Sequence, residues 1–197
     1  MIDVSIAILA GGLSTRMGTD KGLVMLGDKP LIAHVIHRLR VLNVPMMIIA
    51  NQLEAYHAFG LPVYRDVLAE RSSLGGIYSA LHHSLTRYTL CVACDMPFIN
   101  PVLISEMIKL SAGYDAVVPQ IGEHPQGLHS LYSKTCLTTI QQQIEHHNFR
   151  VRDVFALLNT YWMGEDLIRQ FDPQIDSFMN INTPEAILLA TQKMHLA

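Results

Sequence analysis

The chain of 197 residues is half hydrophobic and 16% charged, which excludes a disordered protein and provides enough apolar side chains for a sizeable core. Its net charge of −3 at pH 7, and the lack of an apolar run long enough to span a membrane, predict no nucleic-acid or membrane partner. Three cysteines, and an opening Met1-Ile2-Asp3 without a basic region, predict reduced thiols and a cytoplasmic protein.

The first predicted element is a buried strand at residues 3–9, which leads into a glycine-rich loop. The loop contains the adjacent glycines Gly11 and Gly12, and further along the basic residues Arg16 and Lys21. Glycines let backbone N–H groups approach a ligand and the basic residues add positive charge, so the loop is predicted to bind a polyphosphate. The alternative is a tight strand-to-helix turn, since the spacing fits neither the P-loop nor the G-x-G-x-x-G motif.

Positive charge is concentrated around this loop. Residues 1–40 contain five lysines and arginines against three acidic residues, whereas residues 41–197 contain nine against fourteen. This asymmetry favours a small anionic ligand over a long one, because the basic region is confined to one part of the chain.

Strand-like and helix-like runs alternate through the rest of the chain. Further strands are predicted at residues 45–50, 88–93 and 115–118. Helices are predicted from Pro30 onward and at residues 75–85, 101–111, 134–147 and 184–195. Residues 119–132 are rich in glycine and proline and are interpreted as a loop that leads into a strand. The alternation predicts one compact α/β domain with a wound, mostly parallel sheet.

Polar residues follow several predicted strands, at the edge where such sheets bind ligands. Asn51 follows the second long strand, Asp66 follows a short extended run, and Asp95 follows the third long strand. The Asn51 amide is able to read a base or a ribose, and Asp95 offers hard oxygen ligands for a Mg²⁺ shared with substrate phosphates. Taken singly, each residue also fits a cap or a turn. Together, facing one glycine loop, they predict a nucleotide site.

Two later segments are further candidates. Gly76 and its glycine neighbour open a predicted helix, where they either expose N–H groups to an anion or permit close packing. Asn180 and Asn182 alternate along an extended segment, so both amides lie on one side, which suits a polar heterocycle. A capped turn before the last helix explains Thr183 and Pro184 but not both asparagines.

Cys91 and Cys94 have the spacing of a redox or zinc motif but are interpreted as structural. Cys91 lies within a predicted strand, where residues three positions apart point to opposite faces, and Cys136 is the only other cysteine. The ten histidines form no metal-binding motif and are interpreted as solvated or core residues.

Taken in chain order, these segments resemble the signature of molybdenum cofactor guanylyltransferases over nearly the whole chain. The similar residues are Leu9-Ala10-Gly11-Gly12, Ser14, Arg16-Met17-Gly18, Asp20-Lys21, Gly27, Lys29-Pro30-Leu31, Asn51, Asp66, Leu74, Gly76, Cys94-Asp95, Pro97, Asn180 and Asn182-Thr183-Pro184-Glu185. Sugar-phosphate nucleotidyltransferases usually have Leu-Ala-Ala-Gly in the first loop, and molybdopterin cytidylyltransferases tend to have alanine in place of Gly11. One departure is Ser72-Ser73, where the family usually has Gly-Pro, so a fixed φ is lost.

The resemblance implies a single three-layer Rossmann-like nucleotidyltransferase domain over residues 1–197. Its nucleotide-binding half would be about 1–100 and its acceptor half about 101–197. The implied reaction is transfer of GMP from Mg-GTP to molybdenum-bound molybdopterin, with release of pyrophosphate and transient contact with molybdenum-insertion proteins and apo-molybdoenzymes. The alternatives are another acceptor or base, as in a cytidylyltransferase or a sugar-phosphate enzyme, and a non-catalytic carrier of pterin or nucleotide.

The resemblance also implies roles for individual residues. The residues that would bind GTP are Leu9, Ala10, Gly11, Gly12, Lys21, Asn51, Asp66 and Asp95. In catalysis, Arg16 and Lys21 would draw charge from the leaving phosphates, and Asp95 would hold Mg²⁺. The residues on the molybdopterin side would be Gly76, Asn180 and Asn182.

Overall fold

Strands and helices alternate along most of the chain, as the sequence predicts. The structure is a computed structural model that describes residues 3–11, 20–68 and 72–196. The strands are β1 (Val4–Leu9), β2 (Met25–Leu26), β3 (Lys29–Pro30), β4 (Met46–Ile49), β5 (Val63–Tyr64), β6 (Tyr88–Ala93), β7 (Ala116–Ile121), β8 (His124–Pro125), β9 (His129–Ser133) and β10 (Thr160–Met163). The α-helices are α1 (Leu31–Leu39), α2 (Leu53–Tyr56), α3 (Ser73–His83), α4 (Pro101–Leu110), α5 (Cys136–Glu145), α6 (Val151–Val154), α7 (Glu165–Phe171) and α8 (Pro184–Leu196). Short 3₁₀ turns cover Lys21–Leu23, Arg40–Leu42, His57–Phe59, Phe155–Leu157 and Asp176–Phe178.

The central sheet is mostly parallel and has the order β10-β7-β9-β6-β1-β4-β5, with β8 beside β7. β1 pairs in parallel with β4 and β6, β4 with β5, and β7 with β10. β9 is antiparallel to both of its neighbours, β6 and β7. The carboxyl ends of β1, β4, β5 and β6 therefore meet at one edge, and the strand order reverses around β1. Such a switch point is where open α/β sheets bind their ligands.

Helices cover both faces of the sheet, which gives three layers. α1 and α4 pack on one face together with Ile6 and Ile8 of β1, whereas α3 and α5 pack on the other face together with Ala7. Because both faces of β1 are buried, its sequence is a continuous apolar run. The predicted three-layer, mostly parallel α/β fold is confirmed. Within the three described ranges, no helix combines the length and the apolar character that crossing a membrane requires.

Besides the apolar clusters on the two faces of the sheet, a small third cluster holds the C-terminal segment at the edge where β6 ends. Its buried members are Leu26, Leu31, Phe98, Ile181 and Ala190. The backbone N–H of Ile181 also donates a hydrogen bond to the carbonyl oxygen of Asp95 at 2.9 Å. The segment that carries Asn180 and Asn182 therefore lies directly beside the end of β6.

The region from residue 119 to 132 contains more strand than the sequence predicts. β7 continues to Ile121, β8 pairs with it, and β9 already begins at His129. A strand was expected after this loop, but its start was missed because His129, Ser130 and Ser133 are polar yet buried, so the strand lacks an apolar pattern. The two-residue strands of the β2–β3 hairpin and the short edge strand β10 were not predicted either.

Three helices begin at residues other than those predicted. The helix expected at 134–147 is shorter at both ends and spans Cys136–Glu145. The helix expected to begin at Pro30 begins at Leu31, because Pro30 pairs across the β2–β3 hairpin. The helix expected at 75–85 begins at Ser73, because the Oγ atom of Ser72 accepts a hydrogen bond from the backbone N–H of Gly75 at 2.9 Å. Serine is a favoured N-cap residue, and here it moves the helix start two residues toward the N-terminus.

The three cysteines are free and buried. Cys91 packs with Cys136 in the cluster beneath α3 and α5, whereas Cys94 packs in the cluster on the opposite face of the sheet. The prediction that Cys91 and Cys94 point to opposite faces is confirmed. Burial raises the pKa of all three thiols, which is typical of structural rather than reactive cysteines.

The buried side chain of His129 predicts that stability depends on pH. Burial lowers the pKa of His129 to about 4, against the opposing influence of the nearby Asp172 carboxylate. The unfolded chain takes up this proton near pH 6.5 but the folded chain only near pH 4, so the free energy of unfolding falls between these values as the pH falls. This loss should reach about 3 kcal/mol in denaturant titrations at several pH values.

A pair of variants isolates this contribution. His129→Leu removes the titrating ring and is expected to flatten the pH dependence between pH 6.5 and 4. His37→Leu removes an exposed histidine on α1 and should keep the full dependence. An unchanged slope in His129→Leu would contradict the account.

Candidate active site

A cavity of about 320 Å³ opens at the carboxyl edge of the sheet, between the ends of β1 and β6 and the start of α3. The predicted site residues that line it are Leu9, Ala10, Gly11, Lys21, Asp66, Gly76 and Asp95. They come from separate stretches of the chain and meet because parallel strands end at the same edge. The volume lies at the lower end of the range typical of ligand pockets, about 300–1,000 Å³.

Some site residues were missed from the sequence, and others lie beyond the described part of the chain. Gly12 and Arg16 lie outside the described residues. Asp20 lines the cavity, and its place beside Lys21 in the loop motif was a usable signal for it. Leu128 carries no such signal: it reaches the cavity because its carbonyl oxygen accepts a hydrogen bond from the N–H of Ala93 at 3.0 Å.

Asn51 and Asp66, both predicted to contact the nucleoside, are held together, and of the two only Asp66 is among the described residues that line the cavity. The Nδ2 atom of Asn51 donates a hydrogen bond to Oδ2 of Asp66 at 2.9 Å. The other carboxylate oxygen of Asp66, Oδ1, is buried and has no hydrogen-bond partner among the described residues. Since buried polar atoms are rarely left without a partner, Oδ1 is an available acceptor for a ligand donor.

Gly11 fits against this pair because it has no side chain. A Cβ at residue 11 would lie 3.0 Å from Oδ2 of Asp66 and 3.4 Å from Nδ2 of Asn51. Gly11→Ala is therefore expected to displace the pair. Binding of GTP, the nucleotide that the resemblance implies, should weaken about tenfold in isothermal titration calorimetry. Gly164→Ala is the control, since its Cβ would have no neighbour within 4 Å. Equal affinities in the two variants would refute this role of Gly11.

Lys21 connects the N-terminal loop to the end of β6 and to the C-terminal segment. Its Nζ atom donates a hydrogen bond to Oδ1 of Asn182 at 2.7 Å and lies 3.6 Å from Oδ2 of Asp95. These two contacts hold the ammonium group in place. The Lys21 side chain is 35% exposed and lines the cavity, so the ammonium group is still accessible. A fixed cation beside a carboxylate is suited to binding phosphate together with a metal ion.

Asp95 has the properties of a shared metal ligand. Its side chain is 9% exposed, and burial raises its pKa while the Lys21 ammonium group lowers it. In residues 3–11, 20–68 and 72–196, no group of three or more His, Cys, Asp or Glu side chains could hold a metal ion. A single buried carboxylate at the end of a strand is suited to a Mg²⁺ that is held jointly with the phosphates of a ligand.

The residues predicted for the acceptor side lie in different places. Gly76 lines the cavity at the start of α3, and a Cβ there would lie 3.6 Å from Cδ1 of Leu9. Asn182 contacts Lys21, which lines the cavity. Asn180 is exposed, and its amide lies 3.5 Å from the carbonyl oxygen of Phe178. Of the three, only Gly76 is among the described residues that line the cavity.

Comparisons with known proteins agree over nearly the whole chain. A family model for the MobA-like NTP transferase domain matches residues 6–161. The chain is 35% identical over 190 residues to a probable molybdenum cofactor guanylyltransferase of Pelotomaculum thermopropionicum, covering 96% of this chain and 93% of that one. It is 38% identical over 189 residues to a protein of the same name from Natranaerobius thermophilus, with coverages of 93% and 92%. Its structure is similar to molybdopterin-guanine dinucleotide biosynthesis protein A of Archaeoglobus fulgidus, with a TM-score of 0.85, 25% identity, and coverages of 98% and 100%.

Proposed function

Because this chain belongs to the molybdenum cofactor guanylyltransferase family, we propose that it transfers GMP from GTP to molybdenum-bound molybdopterin and releases pyrophosphate. The observation that carries this proposal is the convergence of Lys21, Asp95 and the Asn51–Asp66 pair around one cavity. Transfer to another base or acceptor is not favoured, since the relatives are named as guanylyltransferases. A carrier without activity is not favoured either, because it has no need of a cation held for leaving-group chemistry.

The chemistry requires positioning and charge neutralisation rather than a nucleophile from the protein. A terminal phosphate oxygen of molybdopterin attacks the α-phosphorus of GTP, and the bond from that phosphorus to the bridging oxygen of the β-phosphate breaks. The electron pair of that bond leaves with pyrophosphate. Because the attacking oxygen is already anionic, no general base is needed, and the residues act by alignment and by their charge.

The nucleotide is bound at the end of β1 and at the wall formed by Asn51 and Asp66. The backbone at Leu9, Ala10 and Gly11 lines the cavity, and Gly12 continues this loop. The buried Oδ1 atom of Asp66 accepts a hydrogen bond from the nucleoside, which satisfies an atom that has no partner in the described part of the chain.

The leaving phosphates lie against Lys21. Its ammonium group is directed into the cavity and held by Asn182, so it neutralises charge that develops on pyrophosphate without a rearrangement of the site. Arg16, which lies outside the described residues, is proposed from the resemblance alone to draw charge from the leaving phosphates as well.

Asp95 would hold Mg²⁺ together with the phosphates of GTP. The ion, when bound, would neutralise phosphate charge and make the α-phosphorus more susceptible to attack. The contribution of the chain is a buried carboxylate placed at the end of β6, with the ammonium group of Lys21 at 3.6 Å.

We assign molybdopterin to the side of Gly76, which lines the cavity, and of Asn182, which contacts Lys21; Asn180, also predicted for this side, is exposed. The division into a nucleotide-binding half at about 1–100 and an acceptor half at about 101–197 stays a prediction from the sequence, and Gly76 lies within the first half. Transient contacts with molybdenum-insertion proteins and apo-molybdoenzymes, and a cytoplasmic location, stay predictions from the sequence.

Isotope labelling tests the proposed reaction. With molybdenum-loaded molybdopterin, label in the α-phosphate of GTP should move to the pterin product, and label in the γ-phosphate should be released in pyrophosphate. Label from CTP should stay with the nucleotide. Transfer of the γ-label to the pterin, or transfer from CTP alone, would contradict the proposal.

A further inference from the structure

Tyr56 is a buried tyrosine whose hydroxyl group reaches the wall of the cavity. It is the last residue of α2 and is 0% exposed. Its hydroxyl donates a hydrogen bond to Oδ1 of Asp20 at 2.5 Å, and Asp20 lines the cavity. Burial and this hydrogen bond raise the pKa of Tyr56 well above its usual range, so the hydroxyl keeps its proton and remains a donor.

Asp20 connects Tyr56 to the turn that contains Lys21. The same Oδ1 atom accepts a hydrogen bond from the backbone N–H of Gly22 at 3.2 Å, so Asp20 caps the 3₁₀ turn Lys21–Leu23. A cap side chain of this kind fixes the residue at which a turn begins, and Lys21 is the first residue of this one. The tyrosine hydroxyl therefore orients the carboxylate that sets the start of the turn.

A second contact holds the residue after Lys21. Gly22 is buried, and a Cβ at this position would lie 2.8 Å from the hydroxyl oxygen of Tyr56 and 3.3 Å from Sγ of Cys94. The backbone thus packs directly against the tyrosine. Tyr56 contacts the chain on both sides of Lys21, through the side chain of Asp20 and the backbone of Gly22.

The position of the Lys21 ammonium group depends on these contacts of Tyr56 with Asp20 and Gly22. A lysine side chain has four rotatable bonds, so its head group is placed precisely enough for catalysis only if its backbone is fixed and its partners are in reach. We propose that Tyr56 is a positioning residue that holds Lys21, through Asp20 and Gly22, in reach of Asn182 and Asp95. This inference rests on the role proposed for Lys21 in neutralising the leaving group.

Tyr56→Phe removes the hydroxyl and keeps the ring. We expect its kcat for GMP transfer to fall about ten- to a hundredfold, with little change in KM for GTP, because the wall of Asn51 and Asp66 is untouched. The matched control is Tyr88→Phe. Tyr88 is also buried, and its hydroxyl donates to the carbonyl oxygen of Ser111 at 2.7 Å, but it lies at the opposite end of β6 from Asp95. Tyr88→Phe should lose similar stability and keep its kcat.

A double-mutant cycle distinguishes positioning from general loosening of the fold. If Tyr56 acts through Lys21, Tyr56→Phe should cause no further loss of kcat in a Lys21→Ala background. A loss of the same size in both backgrounds would overturn the proposal, and so would equal kcat values for Tyr56→Phe and Tyr88→Phe.

A readout that needs no catalytic activity separates this inference from the proposed function. The rate at which acetic anhydride acylates Lys21, followed by peptide mass spectrometry with exposed Lys109 as internal reference, should rise severalfold in Tyr56→Phe and stay unchanged in Tyr88→Phe. This result would support the positioning role even if the chain transferred no GMP. An unchanged acylation rate in Tyr56→Phe would overturn it even if GMP transfer were confirmed.

Discussion

Asp95→Asn is expected to lower the rate of GMP transfer by about a thousandfold or more, because it removes the charge that we propose for holding Mg²⁺ beside the phosphates. The fold should persist. Burial raises the pKa of Asp95, which means that the ionised side chain is costly to bury, so a neutral amide of the same shape should be as stable or more stable. Single-turnover rates with saturating Mg-GTP measure the first effect, and thermal unfolding measures the second.

The control for Asp95→Asn is Glu106→Gln. Glu106 also pairs with a lysine, Lys109 at 2.8 Å, but this pair lies on the exposed surface of α4. The Glu106→Gln variant should transfer GMP at the rate of the wild type. A rate for Asp95→Asn within tenfold of the control would remove Asp95 from the metal site.

Lys21→Ala is expected to lower kcat by about 10²–10³ and to change KM for GTP much less. The ammonium group matters most when charge develops on the departing pyrophosphate, and the loss of one fixed electrostatic donor typically has an effect of this size. Steady-state kinetics over a range of GTP concentrations separate the two constants.

Lys109→Ala serves as the control for the lysine substitution, since its partner Glu106 is outside the cavity. If Lys21→Ala instead raised KM for GTP and left kcat unchanged, Lys21 would bind the ground state only, and the leaving-group role would be wrong. In that case the positioning role of Tyr56 would concern GTP affinity rather than turnover.

The main parts of the site could be predicted from the sequence because the carboxyl ends of the strands could be predicted. Continuous apolar runs mark β1, β4 and β6 as strands buried on both faces, and parallel pairing brings their carboxyl ends to one edge. At this edge Asn51, Asp66 and Asp95 were predicted to face the glycine-rich loop, and in the structure Nζ of Lys21, from this loop, lies 3.6 Å from Oδ2 of Asp95. The apolar pattern does not predict, however, which amide binds Lys21, because that amide belongs to Asn182, far away along the chain.

The contacts that the sequence does not predict join side chains that are distant along the chain. Tyr56 is one of several aromatic residues in the sequence, and nothing in the sequence indicates that its hydroxyl donates a hydrogen bond to Asp20. Asn51 and Asp66 were each predicted to contact the nucleoside, but their mutual hydrogen bond depends on β4 and β5 being neighbours. The start of β9 escaped prediction because its buried histidine and serines interrupt the apolar pattern by which other strands are recognised.

The central claim is that the cavity transfers GMP, and pyrophosphate release tests it most directly. Purified protein would be given Mg²⁺ and molybdenum-loaded molybdopterin, with GTP or CTP in parallel reactions. The account predicts release that requires GTP and the pterin together, and that is abolished in Asp95→Asn. Release with CTP but not with GTP would contradict the base assignment, and no release with either nucleotide, despite measurable binding of molybdopterin, would contradict the claim itself.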